Sequence, residues 1–323
     1  SRINVLVDLT TVTTSMSINQ LRGRSFRLDK QWPEKVANNW DIVCLADEFT
    51  KGFDDYLRFK RKHKQLYGVC DDGAIEKGVG HVHAAFTEAK PEGVSETMEI
   101  FNEEMLMRAK NRPRTRELWG IGQPFNAVPR EAIEIKASLG GGFPTANRIG
   151  LVEWSDESVV QAIANAVAAS LQALGHIGFD AKVGGGSRGG GWLRSYLEDA
   201  TEEESEIFAE AMQEILGPLE NPRYVIPREV KIISDTWLSE MLPEVLAKYF
   251  RRKKNTLAMY HAVPKMLCRN IEDAKVFEEQ WNFKVSPGEV MYGHSKSGKE
   301  TVSTIKKAGL SPTTSFHRKS VFL

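Results

Sequence analysis

Apolar positions along this chain follow two rhythms, and the switching between them predicts its elements. "INVLVDL" (residues 3–9) is a nearly unbroken run rich in Val and Ile, the pattern of a strand buried on both faces of a parallel sheet. A Thr/Ser-rich loop over residues 10–17 leads into a helix that opens with "INQL". Beyond Pro33, "NWDIVCLA" (39–46) predicts a second buried strand, and residues 53–67 a basic, partly amphipathic helix. Strand, helix, strand, helix is the rhythm of an α/β layer.

Farther along, apolar residues recur at helical spacing over 94–112, and a Pro/Gly-punctuated region follows over 113–129. "REAIEIKASL" alternates with the period of a half-exposed strand, and "NRIGLVEW" is its expected neighbour across a turn at 140–144, together a β-hairpin. An Ala-rich helix is expected over 155–175. "GGGSRGGGW" (184–192) breaks the periodicity and is expected to be a mobile loop. Thr201 and Glu204 have capping-box spacing for a helix running to Leu216. After it, "NPRYVIPR", a helix over 235–252, "LAMYHAVP", a helix over 271–283 and "GEVMYG" alternate extended and helical patterns. The expected organisation is 1–93, an accessory α/β region over 94–183, the glycine loop over 184–192, and a C-terminal α/β domain over 193–323.

Composition narrows this only a little. The 323 residues suit about two domains. The 43 basic and 43 acidic side chains cancel, so any surface for nucleic acid or anionic lipid has to be local. Cys44, Cys70 and Cys268 are odd in number and widely spaced, which fits a reducing cytosol and a cytoplasmic location better than a disulfide framework. No apolar run reaches the length of a membrane span. A strand opening at residue 3 with no initiator Met leads us to expect a chain cut from something longer.

The densest chemistry lies in "QLRGRSFR" (20–27). Gln20, Arg24 and Arg27 stand at i, i+4 and i+7, so a helix presents an amide and two guanidiniums on one face, with Gly23 clearing space beside them. Such a face suits a polyanion such as a triphosphate held at an interface, where guanidinium can neutralise charge developing on a transferred phosphoryl group. An Arg-rich amphipathic helix is also compatible with plain solvated surface.

The spacing Gln-x-x-Gly-Arg-x-x-Arg, behind a strand and a Ser/Thr loop, resembles the sixth conserved motif of superfamily-two (DEAD/DEAH-like) helicases and translocases. The resemblance implies a partial RecA-like parallel layer over 1–93, the end of a second motor domain. It implies Arg24 and Arg27 as arginine fingers, with Gln20 and Gly23 close to the nucleotide. Thr13, Thr14 and Ser15 would lie near the loop that couples nucleotide to nucleic acid. It also implies ATP and Mg²⁺ in the complete protein but none held by this chain alone, because no phosphate loop followed by an acidic strand occurs in order. The partners implied are nucleic acid, DNA ahead of RNA, and a missing N-terminal RecA-like domain in the same or another chain. The chain by itself is expected to be inactive.

Other stretches are weaker. "GHSKSGKE" (293–300) spaces Gly293, Gly298 and Lys299 as a phosphate loop does, but Glu300 replaces the Mg²⁺-binding hydroxyl, and a hairpin turn with basic tips is expected instead. His81 and His83 would share one strand face, yet two imidazoles do not make a metal site, and no metal is expected. "KYFRRKKN" (248–255), with Arg251, Arg252 and Lys253, and "FKRKHK" (59–64) interleave cations with aromatics, which suits either sugar-phosphate contact or a solvated helix end. These patches carry the alternative reading, a nucleic-acid-binding accessory module without ATPase coupling.

Overall fold

The computed structural model describes residues 3–27, 29–46, 48–120, 128–136, 151–152, 156–234, 241 and 252–323. It is a mixed α/β protein in two compact units. The first comprises Ser1–Val128, Arg188–Trp192 and Val321–Leu323, and the second Pro129–Ser187 and Leu193–Ser320. No helix among the described residues is long and apolar enough to cross a membrane.

In the first unit, β1 (Val5–Asp8), α1 (Ser15–Phe26) and β2 (Asn38–Asp41) form a βαβ element whose strands are parallel and in register from Val5↔Asn38 to Asp8↔Asp41. The strands were expected to be buried on both faces, and they are not. Ile3, Val5, Val7 and Leu9 alternate outward and are exposed, because among the described residues the layer has two strands and nothing covers this face of β1.

The helix expected over 53–67 is α2 (Asp54–His63), which sends Tyr56 and Phe59 into a core shared with Phe86, Val94 and Phe101. The rings of Phe59 and Phe86 meet edge to face at 5.6 Å, a favoured aromatic geometry. A short hairpin of β3 (Tyr67–Val69) and β4 (Ile75–Lys77) follows. Helices α3 (Pro91–Lys110) and α4 (Arg112–Trp119) come next, so the boundary placed at residue 93 falls inside α3.

The second unit holds β5 (Arg130–Lys136), β6 (Leu151–Val152), α5 (Asp156–Ala173), β7 (Lys182–Ser187), β8 (Trp192–Glu198, apart from Trp192) and α6 (Glu202–Leu216). Then come β9 (Tyr224–Ser234), β10 (Arg252–Ala262), α7 (Ile271–Lys284), β11 (Met291–Tyr292), α8 (Lys296–Lys307) and β12 (Ser315–Phe322), whose Val321 and Phe322 are counted with the first unit. Ile133 and Ile135 of β5, with Val160, Ile163 and Val167 of α5, Phe208 and Met212 of α6 and Phe277 and Trp281 of α7, form its main core. The capping box at the start of α6 is present as expected, with both Thr201 and Glu204 bonded.

Three sequence expectations fail here for identifiable reasons. β6 pairs antiparallel with β9 through Leu151↔Ile233, so the expected hairpin with β5 does not form; its turn, 140–144, lies outside the described residues. β5 is not half-exposed, since Ala132, Ile133, Glu134 and Ile135 are all buried. Its polar alternation reports a buried charge, because Glu134 accepts from Arg194 Nη2 at 2.7 Å and meets Lys319 Nζ at 2.6 Å. The glycine-rich stretch is not a mobile loop but a β-hairpin in which β7 pairs β8 from Lys182↔Glu198 to Ser187↔Leu193. The helix expected over 235–252 lies outside the described residues except for Met241 and for Arg252, which opens β10.

Candidate functional site

Helix α1 is two-sided, and its two stripes explain each other. Ile18, Arg22 and Ser25 (i, i+4, i+7) face inward: Ile18 and Ser25 are fully buried, and Arg22 is largely covered. Gln20, Arg24 and Arg27 repeat that spacing two residues later, about 200° around the helix axis, and all three are exposed. The helix ends at Arg27, where φ −58 keeps the residue on the helical path while ψ 128 turns the chain away. Lys35 then donates to the carbonyls of Ser25 and Arg27 at 2.6 and 2.7 Å, closing two of the carbonyls left open at that end. Gly23 is half-buried, and a Cβ built on it would meet nothing within 4 Å. It leaves open space beside the arginines and serves no packing need of the helix.

Thr14 is the N-cap residue of α1, but its hydroxyl donates to Ser17 Oγ at 2.9 Å and accepts no capping bond from the helix backbone. Thr13, Thr14 and Ser15 are exposed at the helix start, whose first turn carries no acidic residue. Of the other predicted contacts, Arg251 lies outside the described residues, and Arg252 and Lys253 stand on β10 opposite Ser234 and Ile233.

Beneath the inner stripe lies a charge cluster. Asp8 and Asp41 are the last residues of β1 and β2 and are register partners, so their carboxylates lie together at the carboxyl edge of the parallel pair. Lys62 of α2, 3% exposed, donates to Asp8 Oδ2 and to Asp41 Oδ1. Arg22 Nη2 donates to Asp41 Oδ2 at 3.0 Å and reaches His63 Nε2 at 2.9 Å. His63 Nδ1 lies 3.0 Å from the Phe59 carbonyl. A carbonyl can only accept, so Nδ1 carries the proton and Nε2 is the acceptor for Arg22. Two cations thus balance two carboxylates around a neutral imidazole.

The protonation states follow from this geometry. Burial pushes the Asp8 carboxyl up, but the bonds from Lys62 and the Thr10 N–H, with the Lys62 charge, outweigh it and hold Asp8 below its ordinary value. Burial lowers His63 to about 4, with the Arg22 charge adding to the effect against the Phe59 bond and Asp41. His81, whose ring centroid is 5.6 Å from that of His63, is also lowered to about 4, by burial first and by Arg22 and Arg108 as well, against its Gly78 bond and the Glu76 charge.

The remaining sequence candidates are structural. "FKRKHK" turns Lys62 and His63 inward and leaves Arg61 and Lys64 exposed. His81 and His83 do not share a strand face: the chain forms 3₁₀ turns over Val79–His81 and Ala84–Thr87. His81 bonds the Gly78 carbonyl, while His83 pairs with Glu104 at 2.5 Å. No group of three or more His, Cys, Asp or Glu suited to a metal occurs among the described residues. "GHSKSGKE" is neither a hairpin tip nor a phosphate loop, because α8 starts at Lys296, inside the stretch a phosphate loop would need, capped by Ser295 Oγ accepting from the Gly298 N–H at 2.9 Å. Arg188, expected on a loose loop, is fully buried, donating to Glu76 Oε2 at 3.1 Å and to the Gly80 carbonyl at 2.8 Å.

In the sequence Gln20, Arg24 and Arg27 stand out, and Lys62 and His63 lie within the basic stretch "FKRKHK", whereas nothing local gives a role to Asp8, Arg22 or Asp41. One signal was present: both parallel strands, "VLVD" and "NNWD", end in aspartate. Carboxylates at the carboxyl ends of parallel strands occupy the edge where open α/β sheets place their ligands. In comparison with known proteins, the chain matches no family model, and no curated protein or solved structure matches it significantly.

Proposed function

We propose that this chain is the C-terminal portion of an ATP-dependent nucleic-acid helicase or translocase of superfamily two, working in the cytoplasm. In this reading residues 1–93 are the end of a second RecA-like domain, and the ATP-binding lobe is a separate domain in the same or another chain. The observation that carries the reading is the two-sided build of α1: an inner stripe anchored in a charge-balanced cluster, and an outer stripe of one amide and two guanidiniums on the exposed side.

The donor set fits a contributor to a nucleotide site held elsewhere. Asp8 and Asp41, the carboxylates nearest the parallel edge, are engaged by Lys62 and Arg22, which leaves the outer face made of N–H donors and suited to phosphate oxygens. ATP with Mg²⁺, held by the other lobe, supplies the phosphoryl group. Arg24 and Arg27 donate to its oxygens and offset charge there, and Gln20 orients the same group through its amide. Thr13, Thr14 and Ser15, at the positive end of α1, contact the nucleic-acid backbone. Arg251, Arg252 and Lys253 supply further phosphate contacts, with DNA ahead of RNA.

Nucleic-acid-stimulated ATPase of the full-length protein tests this. Arg24→Ala is expected to lower turnover by roughly 10³-fold or more, the range for loss of an arginine finger, and the present chain alone should be inactive. Equal activity in wild type and variant would overturn the reading and leave α1 as an Arg-rich surface helix. The alternative, a binding module without ATP coupling, draws on the two basic stretches, one of which keeps only Arg61 and Lys64 fully exposed.

A further inference from the structure

The outer stripe of α1 can act only if the helix is held at one rotation about its axis, and the structure shows what holds it. Ile18 and Ser25 give packing and one side-chain bond, from Ser25 Oγ to Asn39 Oδ1 at 2.7 Å. The charged tether is Arg22. A single nitrogen, Nη2, donates one hydrogen to Asp41 at 3.0 Å and the other to the neutral His63 ring at 2.9 Å. Both partners are themselves fixed, Asp41 by Lys62 and His63 by the Phe59 carbonyl. Lys62 ties Asp41 to Asp8 on the neighbouring strand. The N–H directions of a planar guanidinium are fixed, so meeting two immobile acceptors at once sets the angle of the helix, which a single flexible contact would not.

We infer that Arg22 is a positioning residue for catalysis, orienting the Arg24 and Arg27 guanidiniums through the Asp41–His63 pair while touching no substrate itself. This rests on the function proposed above. Arg22 lies one turn from Ile18 and two residues from Arg24, so a small rotation of α1 about its axis displaces the guanidinium tips at the ends of their long side chains. A displacement of about 1 Å at a reacting centre costs on the order of 100-fold in rate.

The alternative role for Arg22 is charge balance alone. Arg22 and Lys62 carry two positive charges against Asp8 and Asp41, so Arg22→Met leaves the cluster with one carboxylate in excess. The double variant Arg22→Met/Asp41→Asn restores the balance, one cation to one carboxylate, without restoring the bidentate tether. The experiment measures nucleic-acid-stimulated ATPase and the urea midpoint of the full-length protein in wild type, Arg24→Ala, Arg22→Met and the double variant.

In the double variant we expect the urea midpoint to return toward wild type. Its kcat should remain depressed by roughly 10- to 100-fold, with the KM for ATP within about threefold, because ATP is held by the other lobe. The double variant carries the test where Arg22→Met alone does not fold. Recovery of kcat together with the midpoint would show that Arg22 only balances charge, and would overturn the inference while leaving the proposed function intact. A kcat within about twofold of wild type in both Arg22 variants would do the same. Undiminished turnover in Arg24→Ala would overturn both.

Discussion

Lys62 brings one positive charge into contact with two carboxylates while only 3% exposed. Its neighbours Arg61 and Lys64 stand in water, so three cations in four residues do different work, and helical phase separates them. Removing the buried one is costly because Asp8 and Asp41 face each other across the strand pair. Lys62→Met should lower the stability of the first unit by about 3–5 kcal/mol, the usual cost of stripping one partner from a buried ionic group, read as a shift in urea midpoint. The Asp8 carboxyl, held down by Lys62, should titrate at higher pH in the same variant when followed by carboxyl ¹³C resonances. A loss under about 1 kcal/mol, in the range of exposed pairs, would show that the cluster does not hold the unit together.

At the scale of elements, periodicity and backbone freedom divide the work. Helix α1 reads as unremarkable by composition, yet two stripes offset by two residues give it a buried polar face and an exposed cationic one. The hairpin tip between β7 and β8 depends on backbone freedom instead. Gly189, Gly190 and Gly191 all have left-handed φ, at +77, +56 and +76, and a Cβ on Gly190 would lie 3.0 Å from His83 Cε1. Gly190→Ala should therefore destabilise by about 1–2 kcal/mol from the backbone alone, with the His83 contact adding to it. Gly93 lies in α3, and a Cβ there would meet nothing within 4 Å. Gly93→Ala should stabilise by up to about 1 kcal/mol, since alanine is the better helix former. Chemical denaturation of the two variants reads both signs, and the same sign for both would refute the argument.

For the whole molecule, buried neutral imidazoles set the acid limit. His63 and His81 in the first unit are lowered from 6.5 to about 4, and His261 in the second, fully buried and beside Arg228, to about 3. For an imidazole lowered in the folded state, the unfolded chain takes the proton first as pH falls. Stability is thus fully present above about 6.5 and is lost as pH drops through the window to the folded value. The unfolding free energy should fall by about 1.4 kcal/mol per pH unit for each such imidazole between about pH 6 and 4. Asp8 adds a further loss below its ordinary value of 3.8. Urea titrations at stepped pH give the slope, and imidazole resonances that protonate near 6.5 in the folded protein would contradict it.

Local physics made much of this legible in advance. The order of β1, α1, β2 and α2, the helix α3, the capping box that starts α6 and the exposed stripe of Gln20, Arg24 and Arg27 follow from hydrophobic period, cap chemistry and helical phase. All of these act within a few residues. Long-range pairing was not legible: that β6 joins β9, that Glu134 is a buried charge within β5, and that Arg188 is buried against Glu76 and Gly80. The sequence pattern of a buried charge is the same as that of a solvated one, and only the partner brought in by the fold distinguishes them. For the same reason Arg24 could be singled out from the sequence, while Arg22, two residues away and joined to Asp41 and His63, could not. Its role depends on residues 19 and 41 positions distant, which only the tertiary structure brings together.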